Sequence, residues 1–435
     1  MNRLVIKGGR VLDPSTGLDA VCNIYVMGGR VASVKESGAD TTELAPGAPG
    51  LDLIDASGML VVPGLVDLHT HLREPGFEYK ETIETGAAAA AAGGFSTILC
   101  MANTSPVNDN GSVTRYILKK AEATGIRVRP VGALSVGLRG ERLTEMSELK
   151  EAGCVAVSDD GMPVVNGAFM RRALEYSRAF GLPVISHAED PVLVGRGVMN
   201  EGPVSTRLGL RGIPAAAEVS MVARDIALAE LTGGRLHVAH VSTRGAVELI
   251  REAKGKGVNI TAEATPHHLT LTDEAVAALE GYDTNTKMSP PLRSRQDVDA
   301  LRAGLKDGTI DCVATDHAPH ASVEKDIEFD KAANGIIGLE TAFSLVYGLV
   351  GEGLLSLSEA VAAMTSNPAR AMGLQAGSLR VGSAADIAIF DLDREWTVDV
   401  GRLRSRSKNT PYAGRTLKGV CVATIVDGNV VYRSE

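Results

Sequence analysis

Histidine and aspartate residues at the ends of apolar segments are the part of this sequence best suited to chemistry. The segment DLHTHLREP carries His69 and His71 two positions apart, and such side chains point the same way on an extended strand. His187, His240 and Asp316 each follow a further apolar run. Imidazole nitrogens and carboxylate oxygens are usual ligands of Zn²⁺, so the pattern predicts a metal site.

Two adjacent carboxylates end another apolar run, CVAVSDDG, and raise the question of which positive group faces them. Buried strands rarely end on two negative charges without a compensating cation. Five ligands exceed what one zinc needs, whereas two metal ions would use them and would need a bridging anion. Because adjacent strand residues face opposite ways, only one of Asp159 and Asp160 is expected to contact the metals. Two chance histidines would explain His-x-His alone, but they do not explain ligands at four strand ends.

The bulk composition is that of a globular protein without a nucleic-acid or membrane partner. The 435 residues are 44% hydrophobic, 22% charged and 4% aromatic, and this length predicts two or three domains. A formal net charge of -9 argues against nucleic-acid binding. No apolar run reaches the roughly 20 residues that span a bilayer. The N-terminal MNRLVIKGGR lacks the pattern of a signal peptide, so a cytoplasmic location is expected.

Cysteines and histidines are distributed differently along the chain. All nine histidines lie between His69 and His320, which directs attention to one domain. The five cysteines are scattered and mostly lie in apolar runs, as expected of buried free thiols in a reducing compartment; they are Cys22, Cys100, Cys154, Cys312 and Cys421.

The middle of the chain alternates short apolar runs with helical patterns, which is typical of parallel βαβ units. The Ala-rich stretch Thr82–Gly94 is one such helix, ending at a glycine pair. Eight strands are predicted, within LVVPGLVDLHTH, FSTILCMAN, RVRPVGALSV, CVAVSDDG, LPVISHAE, RLHVAHVS, VNITAEATPHHL and DCVATDHAPH. This number predicts an α/β fold built on a (β/α)₈ TIM-like barrel. A doubly wound open sheet is the alternative, although no Gly-rich phosphate loop follows the first strand.

The two ends of the chain have alternating patterns that are typical of antiparallel strands. NIYVMGGRVASV predicts a hairpin turned at Gly28–Gly29, and VCVATIVDGNVVYRS predicts one turned at Asp427–Gly428. Neither end is large enough to bury a core alone. We therefore predict one small β-sandwich formed by residues 1–58 and 372–435, beside a barrel of residues 59–371.

With these features in place, the sequence resembles the amidohydrolase superfamily, and within it the bacterial type I dihydroorotases. The resemblance covers essentially the whole chain, and its first and last motifs are the most specific. The motifs are DLHTHLREPG (67–76), MANTSPVND (101–109), SDDG (158–161), SHAED (186–190), AHVST (239–243), TPHHL (265–269), NTKMSPPLR (285–293) and ATDHAPH (314–320), followed by Lys325.

The resemblance implies two Zn²⁺ ions per chain and assigns their ligands. His69 and His71 would bind the first metal, His187 and His240 the second, and a carboxylate would bridge them. Most relatives bridge with a carbamylated lysine on the fourth strand, which here contains no lysine. The type I enzymes use an aspartate, and its spacing points to Asp160, leaving Asp159 as a helix cap or loop partner. Asp316 would touch the first metal and act as general base and acid for a metal-activated water.

The resemblance also implies how a substrate is held. Arg73 has the fork geometry to bind a substrate carboxylate, and the other implied contacts are His71, Asn103, Ser289, His320, Asn334 and Gly335. Two positions depart from the family pattern. Ser289 replaces a substrate-binding asparagine, and Asn334 stands where an aromatic residue is common. The other histidines have supporting roles: His237 in the core, His267 or His268 beside the metal ligands, and His317 under the eighth-strand turn.

The implied activity is the reversible conversion of (S)-dihydroorotate and N-carbamoyl-L-aspartate in pyrimidine biosynthesis. Another cyclic amidase, an allantoinase or a hydantoinase, is the neighbouring alternative, and the lysine-free fourth strand argues against it. A non-catalytic scaffold for aspartate transcarbamoylase is an alternative of another class, but such chains typically lose metal ligands. A homodimer and an active complex with aspartate transcarbamoylase are both compatible with the resemblance.

Overall fold

Strands and helices alternate through the middle of the chain, and further strands come from both ends. The computed structural model describes residues 3–36, 51–278 and 281–434. Its strands are β1 Arg3–Asp13, β2 Leu18–Met27, β3 Arg30–Glu36, β4 Leu51–Asp55, β5 Leu60–Pro63, β6 Leu65–Thr70, β7 Phe95–Cys100, β8 Arg127–Gly132, β9 Ala156–Ser158, β10 Val184–Ser186, β11 Met199–Asn200, β12 Gly212–Ile213, β13 Leu236–Val238, β14 Ile260–Ala264, β15 Cys312–Val313, β16 Ile387–Thr397, β17 Thr416–Val426 and β18 Asn429–Arg433. Its α-helices are α1 Ile83–Ala92, α2 Gly111–Ala121, α3 Met146–Ala152, α4 Gly167–Ala179, α5 Pro191–Val194, α6 Pro203–Leu208, α7 Ala216–Thr232, α8 Arg244–Gly255, α9 Pro266–Thr270, α10 Arg295–Asp307, α11 Ser322–Lys325, α12 Ala342–Gly351, α13 Leu357–Met364 and α14 Ser366–Met372.

The central sheet is a nearly closed parallel barrel. Its eight strands run in the order β6, β7, β8, β9, β10, β13, β14 and β15. A parallel bridge between Thr70 and His317 brings the first strand to the segment after the last. All eight strands predicted from the apolar runs are present, and the TIM-like barrel is confirmed over the doubly wound sheet.

Two apolar layers hold the barrel together. Buried residues of its strands fill the interior, where they meet Ala369 and Met372 of α14. A larger cluster packs the outer helices against the strands. Helix α1 shows how local sequence sets an element: Thr82 caps its N-terminus by accepting from the Thr85 backbone N–H, and Gly94 follows it with φ 90°. The helix predicted at Thr82–Gly94 is therefore confirmed.

The chain ends meet in a second sheet, whose order is β18-β17-β16-β5-β1-β2-β3, with β4 paired to β1. Strands β2 and β3 form one predicted hairpin, and β17 and β18 form the other. Their apolar side chains enclose a core of their own, which includes Ile6, Ile24 and Ile387. The β-sandwich contributed by both ends is confirmed as part of the fold.

The predicted first strand, LVVPGLVDLHTH, is two strands with different partners. Strand β5 pairs with β1 and β16 in the terminal sheet, whereas β6 begins the barrel. Gly64 separates them, and a Cβ there would lie 2.4 Å from Ser96 Oγ, so the backbone packs too closely for a larger residue. The domain limits at residues 58–59 and 371–372 stay predictions, and residues 1–2 and 37–50 lie outside the described residues.

Two further expectations concern the chain as a whole. All five cysteines are buried and free, as predicted. Across residues 3–36, 51–278 and 281–434, no helix has both the length and the apolar character needed to cross a membrane. The segment between β10 and α7 carries the small parallel pair β11–β12. This segment borders one side of the site described next.

Candidate metal centre and active site

The six predicted metal ligands converge at one end of the barrel. Each follows or ends a parallel strand, on β6, β9, β10, β13 and β15, where the carboxyl ends of barrel strands meet. All six side chains are buried: His69, His71, Asp160, His187, His240 and Asp316. Three overlapping groups of these side chains have ligand atoms within 4.8 Å of one another.

Asp160 lies between the two histidine pairs. Its Oδ2 is 3.3 Å from His69 Nε2 and 3.4 Å from His71 Nε2. Its Oδ1 is 3.4 Å from His187 Nδ1 and 3.5 Å from His240 Nε2. Each carboxylate oxygen therefore faces one pair, which is the arrangement that a bridging ligand requires.

Asp159 points away from the histidines. Its carboxylate accepts from the Ser135 backbone N–H at 2.9 Å and from the Ser135 hydroxyl. Burial raises the pKa of Asp159 to about 6, against these hydrogen bonds. Asp159, one residue after the end of β9, thus holds the loop after β8 through Ser135.

Asp316 completes the cluster beside the first histidine pair. Its Oδ1 lies 3.1 Å from His71 Nε2 and 3.5 Å from His69 Nε2. Asp316, His240 and Arg73 have φ values of 45°, 33° and 62°. Residues other than glycine rarely adopt this left-handed backbone region, and backbone strain of this kind concentrates at functional sites.

The buried carboxylates of the cluster favour positive charge on the groups around them. Burial raises the pKa of Asp160 and of Asp316, but the surrounding histidines outweigh it and hold both pKa values below their ordinary range. Burial lowers the pKa of His187, whereas Asp160 and Glu189 raise it to about 10. Protons held this tightly are displaced when imidazoles ligate a metal, so the same site suits a cation.

Unpartnered polar atoms provide a test of whether metal ions fit here. His69 Nε2 and Asp160 Oδ1 are buried and have no hydrogen-bond partner. Buried polar atoms of this kind are rare without an ion or water beside them. His187 Nδ1 and His240 Nε2 lie 2.8 Å apart, both directed at the same place. The donor set and its orphaned atoms fit the binding of metal ions.

Glu263 supports the first histidine pair and was missed by the sequence reasoning. His69 Nδ1–H donates to Glu263 Oε1 at 2.9 Å, which leaves the lone pair of His69 Nε2 facing the cluster. His237 Nε2 contacts the other oxygen of Glu263 at 3.1 Å. His237 lies in the core as predicted. A lone glutamate inside the apolar run NITAEA was the available signal.

Glu189 lies beside the second pair and was also missed. Its Oε2 is 3.7 Å from His187 Nε2, and its Oε1 is buried without a partner. The Ser289 hydroxyl donates to Glu189 Oε2 at 2.6 Å. The residue that departs from the family pattern is therefore engaged with a neighbouring carboxylate.

Three of the predicted substrate contacts, Arg73, Asn103 and His320, lie on the loops after β6, β7 and β15. His71 Nδ1–H donates to Asn103 Oδ1 at 2.9 Å. Arg73 Nε donates to the Pro319 carbonyl at 3.2 Å, and its Nη2 lies 3.3 Å from His320 Nε2. Burial and nearby Arg73 lower the pKa of His320 to about 2, so the ring is neutral.

The segment at Asn334 and Gly335 joins this wall through its backbone. His320 Nε2–H donates to the Asn334 carbonyl at 2.9 Å, while the Asn334 side chain is exposed. A Cβ on Gly335 would lie 2.5 Å from the Ala318 carbonyl oxygen, so only glycine fits.

The remaining histidines have supporting contacts. His268 bonds to Thr265 Oγ1 at 2.8 Å and to the Pro290 carbonyl at 3.0 Å. His267 Nε2 is buried without a partner. His317 contacts Glu81 at 3.3 Å, and its carbonyl accepts from the His71 backbone N–H at 2.8 Å, so it supports the eighth-strand turn.

A cavity of about 620 Å³ adjoins the cluster, with Lys287, Ser289 and Asn334 in its wall. Arg196 and Arg211, from the segment that carries β11 and β12, also line it. A larger cavity of about 1110 Å³ lies elsewhere, between α12 and the β16–β17 hairpin, and the residues that line the two cavities include none of the clustered ligands. Ser289 and Asn334, two of the predicted substrate contacts, line the smaller cavity, and this favours it as the approach to the site.

Known protein families match both halves of the chain. A model described as dihydro-orotase-like matches residues 58–246, and one described as the amidohydrolase family matches residues 215–432. Among solved structures, an L-hydantoinase (dihydropyrimidinase) from Arthrobacter aurescens is 28% identical, with a TM-score of 0.87, over 100% of this chain and 96% of that one. A D-hydantoinase (dihydropyrimidinase) from Thermus sp. is 26% identical, with a TM-score of 0.83, over 99% and 95% of the two chains.

Relatives identified by sequence are much more similar to this chain than these solved structures are. The dihydroorotase of Anaeromyxobacter sp. (strain K) is 59% identical over 99% of this chain and 98% of its own length. The dihydroorotase of Syntrophotalea carbinolica is 56% identical over 99% of both chains. Such identity over nearly the whole length shows that the chain belongs to the dihydroorotases of the amidohydrolase family.

Proposed function

We propose that this protein is a dihydroorotase that interconverts (S)-dihydroorotate and N-carbamoyl-L-aspartate in pyrimidine biosynthesis. The observation that carries the proposal is Asp160, whose two oxygens face separate histidine pairs while Asp316 flanks the first pair. The high identity to dihydroorotases supports the same substrate. The similarity to hydantoinases is lower, at 28% or less for those named above.

The cofactor we propose is a pair of Zn²⁺ ions. His69 and His71 would hold the first ion with Asp316, His187 and His240 would hold the second, and Asp160 would bridge them. Imidazole and carboxylate donors suit zinc, and the orphaned His69 Nε2 and Asp160 Oδ1 support this ligand set. When bound, such ions polarise an amide carbonyl and lower the pKa of water.

Asp316 is the proton carrier in this proposal. Its carboxyl stays ionised because the adjacent histidines lower its pKa. During hydrolysis it accepts the proton that the attacking water loses as the water oxygen bonds to the ring amide carbon. It then donates that proton to the departing ring nitrogen as the C–N bond breaks. Cyclisation follows the same path in reverse and releases water.

Arg73 and its neighbours bind the substrate in this proposal. The guanidinium fork would pair with the substrate carboxylate, with Asn103 and His320 beside it. The position of His320 is supported by its bond to the Asn334 carbonyl. His71, Ser289 and Gly335 would complete the contacts with the substrate. The Ser289 hydroxyl would contact the substrate and would also hold the Glu189 carboxylate, to which it donates.

The proposal includes a homodimer, a complex with aspartate transcarbamoylase and a cytoplasmic location. Self-association as a homodimer and association with aspartate transcarbamoylase are tested by light scattering of the protein alone and mixed with that enzyme. A cytoplasmic location is tested by fractionation.

The function is tested by assaying the zinc-loaded protein with dihydroorotate, carbamoyl-aspartate, hydantoin and allantoin side by side. We expect turnover of the first two and little of the others. Dominant turnover of hydantoin or allantoin would move the protein to another cyclic amidase. No turnover of any substrate by a zinc-loaded sample would favour the scaffold alternative.

Arg73 gives a sharper test of the substrate. Dihydrouracil is dihydroorotate without its carboxylate, so Arg73→Ala should raise KM for dihydroorotate by about 100-fold or more and leave any dihydrouracil turnover unchanged. Arg73→Lys keeps the positive charge but loses the forked guanidinium. Its KM for dihydroorotate should therefore lie between those of the unmodified protein and Arg73→Ala. An equal loss on both substrates would contradict the carboxylate contact.

A further inference from the structure

An extended segment between β16 and β17 reaches from the terminal sheet to the mouth of the barrel. We call residues Leu403–Thr410 the strap. Its side chains alternate between buried and exposed from Leu403 to Asn409, as in a strand with one covered face. The segment forms no strand pairing of its own, so side-chain bonds hold its buried face against the barrel.

The first half of the strap is fixed by two acidic residues of the barrel. Ser405 Oγ and the Arg406 backbone N–H both donate to the buried carboxylate of Glu81. The backbone N–H groups of Arg404 and Ser405 donate to Glu340 at 2.9 and 3.1 Å. This half is therefore anchored to the loop after β6 and to the segment before α12.

The second half ends on Asn409, which is 3% exposed and bonds to two separate barrel segments. Its Oδ1 accepts from the His320 backbone N–H at 3.0 Å. Its Nδ2 donates to the carbonyls of Ala318 and Gly335, each at 3.0 Å. Its own carbonyl accepts from the Ile337 N–H at 3.0 Å. Both hydrogens of its amide nitrogen and its oxygen are thus engaged.

The two segments joined by Asn409 are those that carry the proposed substrate contacts of the eighth-strand side. His320 lies on one, and Asn334 and Gly335 lie on the other. They pack closely, since a Cβ on Gly335 would be 2.5 Å from the Ala318 carbonyl and 2.6 Å from His320 Cδ2. A shift of one segment against the other would displace His320, and misplacement of about 1 Å costs on the order of 100-fold in efficiency.

We propose that Asn409 is a positioning residue for substrate binding, through which the strap sets the separation of the 318–320 and 334–337 segments. The proposal rests on the proposed function. Asn409 has no bond to any of the clustered histidines or to Asp160 and Asp316 among the described residues. Its loss should therefore act on KM and leave the metal centre intact.

The variants are Asn409→Ala and Asn409→Asp, with Thr410→Val as the matched control. Asn409→Asp keeps the acceptor for His320 but turns an oxygen toward two carbonyls. Thr410 is an equally buried neighbour whose hydroxyl accepts from the Tyr412 backbone N–H, two residues further along the chain, at 3.3 Å. Its replacement perturbs the strap without touching either barrel segment.

We expect both Asn409 variants to raise KM for dihydroorotate by about tenfold or more, with kcat changed less than about threefold and zinc content unchanged. Thr410→Val should stay within about twofold of the unmodified protein. An equal KM increase in Thr410→Val, or loss of zinc in the Asn409 variants, would overturn the proposal.

Amide hydrogen exchange separates this proposal from the proposed function. Peptides that contain His320 and Ile337 should exchange faster in Asn409→Ala than in Thr410→Val, whatever the substrate is. Unchanged exchange would refute the positioning role even if dihydroorotate is turned over. Failure of the unmodified protein to turn over dihydroorotate, with faster exchange in the variant, would refute only the function.

Discussion

Asp159 and Asp160 are consecutive in the chain, directly after β9, but their carboxylates contact different parts of the molecule. Asp160 faces all four clustered histidines within 3.5 Å, whereas Asp159 bonds to Ser135 in the neighbouring loop. The two side chains diverge directly after β9 ends at Ser158, which separates a metal-bridging candidate from a structural carboxylate one residue away.

Replacing these two aspartates should have different effects on metal and stability. With the proposed pair of zinc ions, Asp160→Ala should reduce zinc from two ions to at most one per chain and lower kcat by at least 1000-fold, because the proposed bridging carboxylate is lost. Asp159→Ala should retain zinc but lower the free energy of unfolding by about 1–3 kcal/mol, because Ser135 loses its partner. Elemental analysis and urea denaturation measure both quantities. Loss of zinc in the Asp159 variant alone would exchange the two assignments.

Asp316→Asn should lower kcat by roughly 100- to 10,000-fold, because the amide cannot accept a proton. KM should change little, since the side chain keeps its size. Steady-state kinetics measures the effect, and elemental analysis must still find zinc in the variant. Near-normal turnover by a zinc-loaded Asp316 variant would remove this residue as the proton carrier.

Glu263→Gln should weaken the first metal site by about 10- to 100-fold, because His69 loses the carboxylate that fixes its tautomer. Competition with a chromophoric chelator measures this affinity. Thr261→Val is the control, since Thr261 bonds at 2.7 Å to the far side of His237 and does not reach His69. Equal affinity in both variants would show that Glu263 does not orient the ligand.

Glu340 should make stability fall as the pH rises from about 4.5 to 7. Burial raises the pKa of Glu340 to about 7, against its bonds from the Arg404 and Ser405 N–H groups and the charge of Lys408, while Glu81 adds repulsion. The folded state therefore binds a proton that the unfolded state has released in this range, so folding is favoured below it.

Glu340→Gln tests this dependence. Gln keeps an acceptor for both N–H groups but does not ionise, so the loss of unfolding free energy between pH 5 and pH 8 should shrink by about 1–2 kcal/mol. Urea denaturation at the two pH values measures it. The same slope in both proteins would show that Glu340 does not titrate in this range.

Local patterns predicted the barrel and five of the six clustered residues, whereas the choice of Asp160 over Asp159 came from the resemblance to the family. Apolar runs located all eight barrel strands, and His-x-His at the end of the first located the site. The same patterns merged β5 with β6, since Leu60–Thr70 is apolar throughout most of its length and only the pairing partners distinguish the two strands.

The supporting residues could not be found in this way, because their partners are distant in the chain. Glu263 lies 194 residues from His69, and Asn409 lies 89 residues from His320. The strap did carry a signal, since LRSRSKN alternates charged and smaller residues at the period of a strand. Nothing in that alternation identified the surface that covers it.

The passage from β5 to β6 through Gly64 has a consequence for cooperativity. Strand β5 lies inside the terminal sheet, between β1 and β16, and only one residue separates it from β6, the strand that carries His69. No linker absorbs motion between the two sheets on this path. We therefore expect a disturbance of the terminal sheet at β5 to reach the first histidine pair, so that the terminal sheet contributes to holding these ligands in place.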